Sequence, residues 1–276
     1  MIALIAGGDG LVATRLGLSM FCLQVSIGAV NDIADVELDR VGKPAKPIPA
    51  GMVSVPLARA WAIGAGGLGL ALAWPSGVPT IAVAAVGLGL GYLYDLSLSR
   101  TILAWLPLTL ALPLVPVFAW LGATGGVPSA LFGLLPVALL AGAALTIANG
   151  LVDIERDVLG GKPTIPVRLG RVQSWLVHAA LFAVALVLAF ALAPAALAPA
   201  APASVGGGAP STLLSVLRAA GLPLGTVVVI AGAGLLLAAR QEIRERGWEL
   251  EGVGTAALGI GWLAGVAALS GGGAAS

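Results

Sequence analysis

Residues 11–39 read LVATRLGLSMFCLQVSIGAVNDIADVELD: about twenty mostly apolar residues run directly into one amide and four acids. The apolar part is long enough to cross a bilayer's hydrocarbon core. Lipid offers the backbone no hydrogen-bond partners, so such a run folds as a helix unless it alternates like a barrel strand, and it does not. At about 100° per residue, Asn31, Asp32, Asp35 and Asp39 share an arc of about 100°, and Glu37 points the other way.

The pattern recurs along the chain. Eight candidate spans lie at roughly 11–30, 57–75, 78–94, 102–121, 127–152, 174–193, 212–238 and 252–270. The fifth ends in NGLVDIERD, where Asn149, Asp153 and Asp157 fall on one face and Glu155 lies opposite. The fold class expected is therefore all-α, a polytopic transmembrane bundle forming a single membrane-embedded domain over residues 1–276. A low-complexity linker is expected at about 191–211.

Composition supports this. Of 276 residues, 59% are hydrophobic and 10% charged, with net charge +1, against about 45–50% apolar and about 25% charged in soluble domains. A soluble globule, a disordered tail and a nucleic-acid binder are excluded. One cysteine, Cys22, excludes an intramolecular disulfide, and one histidine, His178, argues against a multi-histidine metal site. Cys22 reads as a small buried hydrophobe and His178 as a packed core residue.

Charge sorts by side. Lys and Arg occupy the first, third, fifth and seventh gaps and are absent from the other three, which places the odd gaps in the cytoplasm. Six of the seven tryptophans, with Tyr92 and Tyr94, lie near span ends and read as interface anchors. Twelve of the thirteen acids also lie at the cytoplasmic end, although acids contribute little to orientation. Like charges on one helix face repel, and anions at a membrane edge need neutralising. Carboxylate and amide oxygens suit Mg²⁺, which completes its shell with water and substrate phosphate. The two clusters thus read as half-sites gripping a phosphorylated substrate through magnesium. The competing reading is a solvated acidic helix end, and a second cluster of matching geometry argues against it. Cations follow each cluster: Lys43 and Lys46 in DRVGKPAKPIPAG, Lys162 and Arg168 in LGGKPTIPVRLG. The third gap, YLYDLSLSRT, adds Tyr94, Asp95 and Arg100.

On these residues the chain resembles the UbiA superfamily of intramembrane prenyltransferases. NDIADVELDR followed by KPAKPIPAG, then YDLSLSRT, then DIERD followed by VRLGR carry the resemblance in order. It implies a helical bundle around a central cavity open to the cytoplasmic side of the cell membrane, where two Mg²⁺ ions hold the diphosphate of an isoprenoid donor. Asn31, Asp32, Asp35 and Asp39 then form one metal half-site, with Asn149, Asp153 and Asp157 opposite. Lys43, Lys46, Arg100, Lys162 and Arg168 contact diphosphate; Asp35, Asp153 and Tyr94 act in catalysis. The implied reaction moves a polyprenyl group onto a lipophilic acceptor, with an aromatic or quinone precursor favoured. A glycerol phosphate or tetrapyrrole acceptor, another phospho-lipid-linked transfer and a cation transporter are the alternatives. The resemblance implies nine spans, so the first helix is expected to be truncated or absent.

Overall fold

The structure is a computed structural model and describes residues 1–193 and 209–272. The expected linker lies mostly outside the described residues. Eight helical stretches are long and apolar enough to cross a membrane, and they coincide with the eight runs expected. Among the described residues there are helices and connecting turns and no strand.

The helices are α1 (Ile2–Ile5), α2 (Gly10–Ala34), α3 (Val36–Gly42), α4 (Val55–Ala73), α5 (Val78–Leu93), α6 (Leu106–Ala111), α7 (Leu114–Thr124), α8 (Leu134–Val152), α9 (Ile154–Leu159), α10 (Ile165–Leu169), α11 (Arg171–Ala191), α12 (Ala209–Leu235) and α13 (Gln241–Gly272). The fourth crossing is split between α6 and α7 at Pro113, which has no N–H to continue the ladder. The most buried helix is α8: eleven of its residues are shielded, among them Ala144 and Ala148, and α6, α11 and α13 pack around it.

Lipid tails are as apolar as leucine, so close approach and hydrogen bonds hold such helices together. Between α12 and α13 the contact is backbone on backbone. A Cβ on Gly225 would stand 2.7 Å from the Gly254 carbonyl oxygen, and one on Gly232 would stand 2.6 Å from that of Gly247. Between α2 and α4, Ser19 donates to the Gly69 carbonyl at 2.7 Å, and Ser26 donates to that of Ala62 at 2.5 Å.

Three expectations need correcting. The eighth helix starts at Gln241, eleven residues before the expected 252. Its first turns carry charges that hydropathy rejects, but two of them are paired inside the protein. Buried Arg244 donates to Glu155 and to the carbonyls of Val152, Ala238 and Ala239, and Glu251 faces His178 at 2.8 Å. Trp120 is buried in the core rather than anchored at an interface, whereas Trp61 and Trp74 are exposed as expected. Cys22 is half-exposed, lining an outer groove with Trp61. His178 is packed as expected, fully buried with Phe182 edge-on to its ring.

Candidate active site

Both acidic clusters sit where a long helix breaks and restarts. At Asp35, between α2 and α3, the backbone has φ −99° and ψ 9°. At Asp153, between α8 and α9, it has φ −100° and ψ 10°. Each break keeps its i→i−4 bonds: Asp35 N–H to Asn31 and Asp39 N–H to Asp35 in one, Asp153 N–H to Asn149 and Asp157 N–H to Asp153 in the other. The last acids, Asp39 and Asp157, are equally buried, each 6% exposed. Glu37 and Glu155 point away, as the helical spacing requires. Glu37 pairs with Arg40 in solvent, and Glu155 is held by Arg171 and Arg244.

The two breaks face one cavity of about 270 Å³. Asn31, Asp35, Asp39, Lys43 and Lys46 line it from the first break; Asn149, Asp153, Arg156, Asp157, Lys162 and Thr164 line it from the second. The two breaks come close at one point, where a Cβ on Gly42 would lie 3.5 Å from Arg156 Cδ. Tyr94, Thr146 and Asn149 also line an adjoining cavity of about 370 Å³ walled almost entirely by apolar side chains, including Leu23, Ile27, Leu112 and Phe118. A charged chamber thus adjoins an oily one, with a collar of three polar residues common to both walls.

Every acid in the chamber has a basic partner. Lys46 Nζ bridges Asp32 at 2.7 Å and Asp39 at 2.6 Å. Arg100 reaches Asp35 at 3.2 Å, Arg156 pairs with Asp153, and Lys162 stands 3.7 Å from Asp157. Burial alone would lower the Lys46 pKa, but its two hydrogen-bonded carboxylates outweigh that and hold it above the ordinary lysine value. Burial pushes the Asp157 carboxyl up, and the Asp153 charge adds to this against Lys162, Arg156 and the Thr164 hydroxyl.

Ten of the thirteen expected site residues line the chamber. Asp32, Arg100 and Arg168 do not. Asp32 acts on the chamber only through Lys46, and Arg100 braces Asp35 from outside, also donating to the Ala34 carbonyl. Pro166 packs against α8 at Gly150, which turns Arg168, two residues on, into solvent. Sequence reasoning missed Arg156, Thr164, Ser99, Thr146 and Gln241. Arg156 was findable, since it lies three residues after Asp153 on one helix face. Gln241, which donates to Asp153 at 3.2 Å from the first residue of α13, left no signal in the sequence.

Among the described residues, no three acid, histidine or cysteine side chains converge closely enough to hold a metal ion alone. The chamber instead offers an amide and two carboxylates on each wall. That hard-oxygen set fits Mg²⁺ in chemistry, with further ligands to come from water or substrate.

A helical bundle with paired acidic breaks over an oily cavity is the architecture of an intramembrane lipid-modifying enzyme. The chain belongs to the UbiA prenyltransferase family, whose profile matches residues 1–247. It is 32% identical over 205 residues to a protein of Methanopyrus kandleri named digeranylgeranylglyceryl phosphate synthase, covering 74% of this chain and 72% of that one. A protein of the same name from Methanoculleus marisnigri is 30% identical over 171 residues, 60% of this chain and 61% of that one. Among solved structures, an apo UbiA homologue from Aeropyrum pernix superposes with TM-score 0.66 at 20% identity, over 98% of this chain and 93% of that one. A UbiA homologue from Archaeoglobus fulgidus bound to GPP and Mg²⁺ gives 0.65 at 19% identity, over 94% and 93%.

Proposed function

We propose that this prenyltransferase joins the geranylgeranyl group of its diphosphate to a glycerol phosphate ether that already carries one such chain. The observation that carries the proposal is the adjoining pair of cavities, a cationic and carboxylate-lined chamber that shares three wall residues with an oily one. It suits an amphiphile with a diphosphate head and a hydrocarbon tail. The names of the curated relatives favour a glyceryl phosphate acceptor over the aromatic or quinone-type acceptor expected from sequence.

In this reading Asn31, Asp35 and Asp39 form one metal half-site and Asn149, Asp153 and Asp157 the other. Mg²⁺ bound there supplies Lewis-acid charge to the diphosphate oxygens. Lys46, Arg156 and Lys162 turn from the carboxylates to the diphosphate and, with Lys43, stabilise the charge it gains on leaving. Arg100 and Asp32 support that arrangement from behind, and Arg168 serves substrate approach from solvent. The bond from the allylic carbon to the diphosphate oxygen breaks, the acceptor hydroxyl oxygen forms the new carbon–oxygen bond, and its proton leaves. Tyr94, at the collar, would face the allylic carbon of a donor whose head lay in the chamber and whose tail lay in the oily cavity, and the apolar wall would keep water from the cation. The positive-inside asymmetry supports a chamber on the cytoplasmic face.

The test supplies the full chain in membranes with Mg²⁺, geranylgeranyl diphosphate and either geranylgeranylglyceryl phosphate or a panel of aromatic acids, and reads product mass. Digeranylgeranylglyceryl phosphate, abolished by EDTA, is the expected product. A prenylated aromatic acid made in its place would refute the acceptor assignment.

A further inference from the structure

Asp95 has no place in the reading above. It is 6% exposed and does not line the chamber, yet it lies directly behind a chamber residue: its Oδ1 accepts a hydrogen bond from Asn31 Nδ2 at 2.9 Å. Its Oδ2 is buried with no hydrogen-bond partner among the described residues.

The segment that carries it, Tyr94–Leu98, is a π-helical turn closed by the Ser99 N–H on the Tyr94 carbonyl at 2.8 Å. Such a turn widens a helix by one residue and is frequent at functional sites. Here it sets the register. Asp95 and Arg100 lie five residues apart, about one π turn, and they meet Asn31 and Asp35, four residues apart on α2, about one α turn. Tyr94 meanwhile lines the chamber. One short segment therefore braces two successive members of the first cluster and adds a residue to the chamber.

The chemistry of the brace is specific. A carboxylate only accepts, so the group Asn31 presents to Asp95 is its NH₂. The amide oxygen is thereby left for the chamber side, the only end of the amide that ligates a hard cation. We infer that Asp95 is a positioning residue: it locks the Asn31 amide with its oxygen toward the chamber and so raises the divalent-cation affinity of the first half-site. This rests on the reading of Asn31 as a metal ligand. Hydrogen-bonded partners behind a ligand are worth about 10–100-fold in metal affinity or activity.

The test is Mn²⁺ binding to the purified full chain without prenyl donor, with free Mn²⁺ followed by electron paramagnetic resonance. D95A should raise the Mn²⁺ concentration for half-saturation of the weakened site by about 10–100-fold. D95N, whose amide oxygen can still accept from Asn31, should stay within a few-fold of the unaltered protein. D95S, too short to reach Asn31, gives the same comparison if D95A does not fold. N31A/D95A should bind no more weakly than N31A, because the two side chains act as one unit. Unchanged binding in D95A or D95S, a D95N as weak as D95A, or additive losses in the double variant would overturn the inference. Unchanged Mn²⁺ binding in N31A would overturn the assignment of Asn31 itself, which separates failure of the site reading from failure of the brace.

Discussion

The two acidic breaks have the same backbone and different supports. Asp35 and Asp153 share φ and ψ to within a degree, Asp39 and Asp157 share their burial, and each break is followed by Lys-Pro and then Ile-Pro: 43–44 and 48–49, then 162–163 and 165–166. The first break ends a helix with few shielded residues, and its polar side chains are steadied from a separate segment, by Asp95 of the π turn and Arg100 just beyond it, as well as by Lys46 of the loop that follows. The second break ends the best-buried helix of the bundle, and its cations come mostly from its own turn and the loop after it. A shared backbone geometry is thus held by packing on one side and by side-chain struts on the other.

If the halves are equivalent in function, D35A and D153A should each cut turnover by about a hundredfold or more, the scale seen when one preorganised transition-state contact is removed. Product assays on folded protein check this. Full activity in either would show that one half-site works alone. A finer contrast separates the two arginines. Arg156 faces the chamber and Arg100 stands behind it, so R156A should raise the donor KM and lower kcat by about 10-fold or more, and R100A by only a few-fold.

The smallest effect concerns stability. Burial holds the Asp157 carboxyl above its ordinary pKa. The folded state therefore binds its proton more tightly than the unfolded chain does. This group destabilises the fold at neutral pH, and the penalty fades as pH falls through the raised pKa. D157N should accordingly melt a few degrees higher than the unaltered protein at pH 7 while losing activity. The gap should close as pH approaches 4, with heat-induced aggregation as the readout. Such an exchange of stability for function is usual at active sites. No comparable gain is expected for D39N, whose carboxylate already holds Lys46 at 2.6 Å and would leave that ammonium with one anion fewer.

How far the sequence could be read follows from the same physics. Hydropathy found the eight crossings because lipid imposes length and composition locally. It failed over 241–251 because Arg244 and Glu251 are tolerated only through partners about 90 and 70 residues distant, Glu155 and His178. It also misread Trp120, since an aromatic residue near a span end looks the same whether it faces the interface or the core. The acids were legible because helical periodicity puts them on one face. Their supports were not. Nothing in YDLSLSRT announces a π turn, so the pairings of Asp95 with Asn31 and Arg100 with Asp35 were invisible, as was the approach of Gln241 to Asp153.

The central claim is that the two breaks converge on one diphosphate through divalent ions. The most direct test is a crystal of the full chain with Mn²⁺ and a non-hydrolysable geranylgeranyl diphosphate analogue, with the metal located by its anomalous signal. The account predicts two peaks on either side of the diphosphate, one among Asn31, Asp35 and Asp39 and one among Asn149, Asp153 and Asp157. Metal and diphosphate found together at only one of the breaks would contradict it.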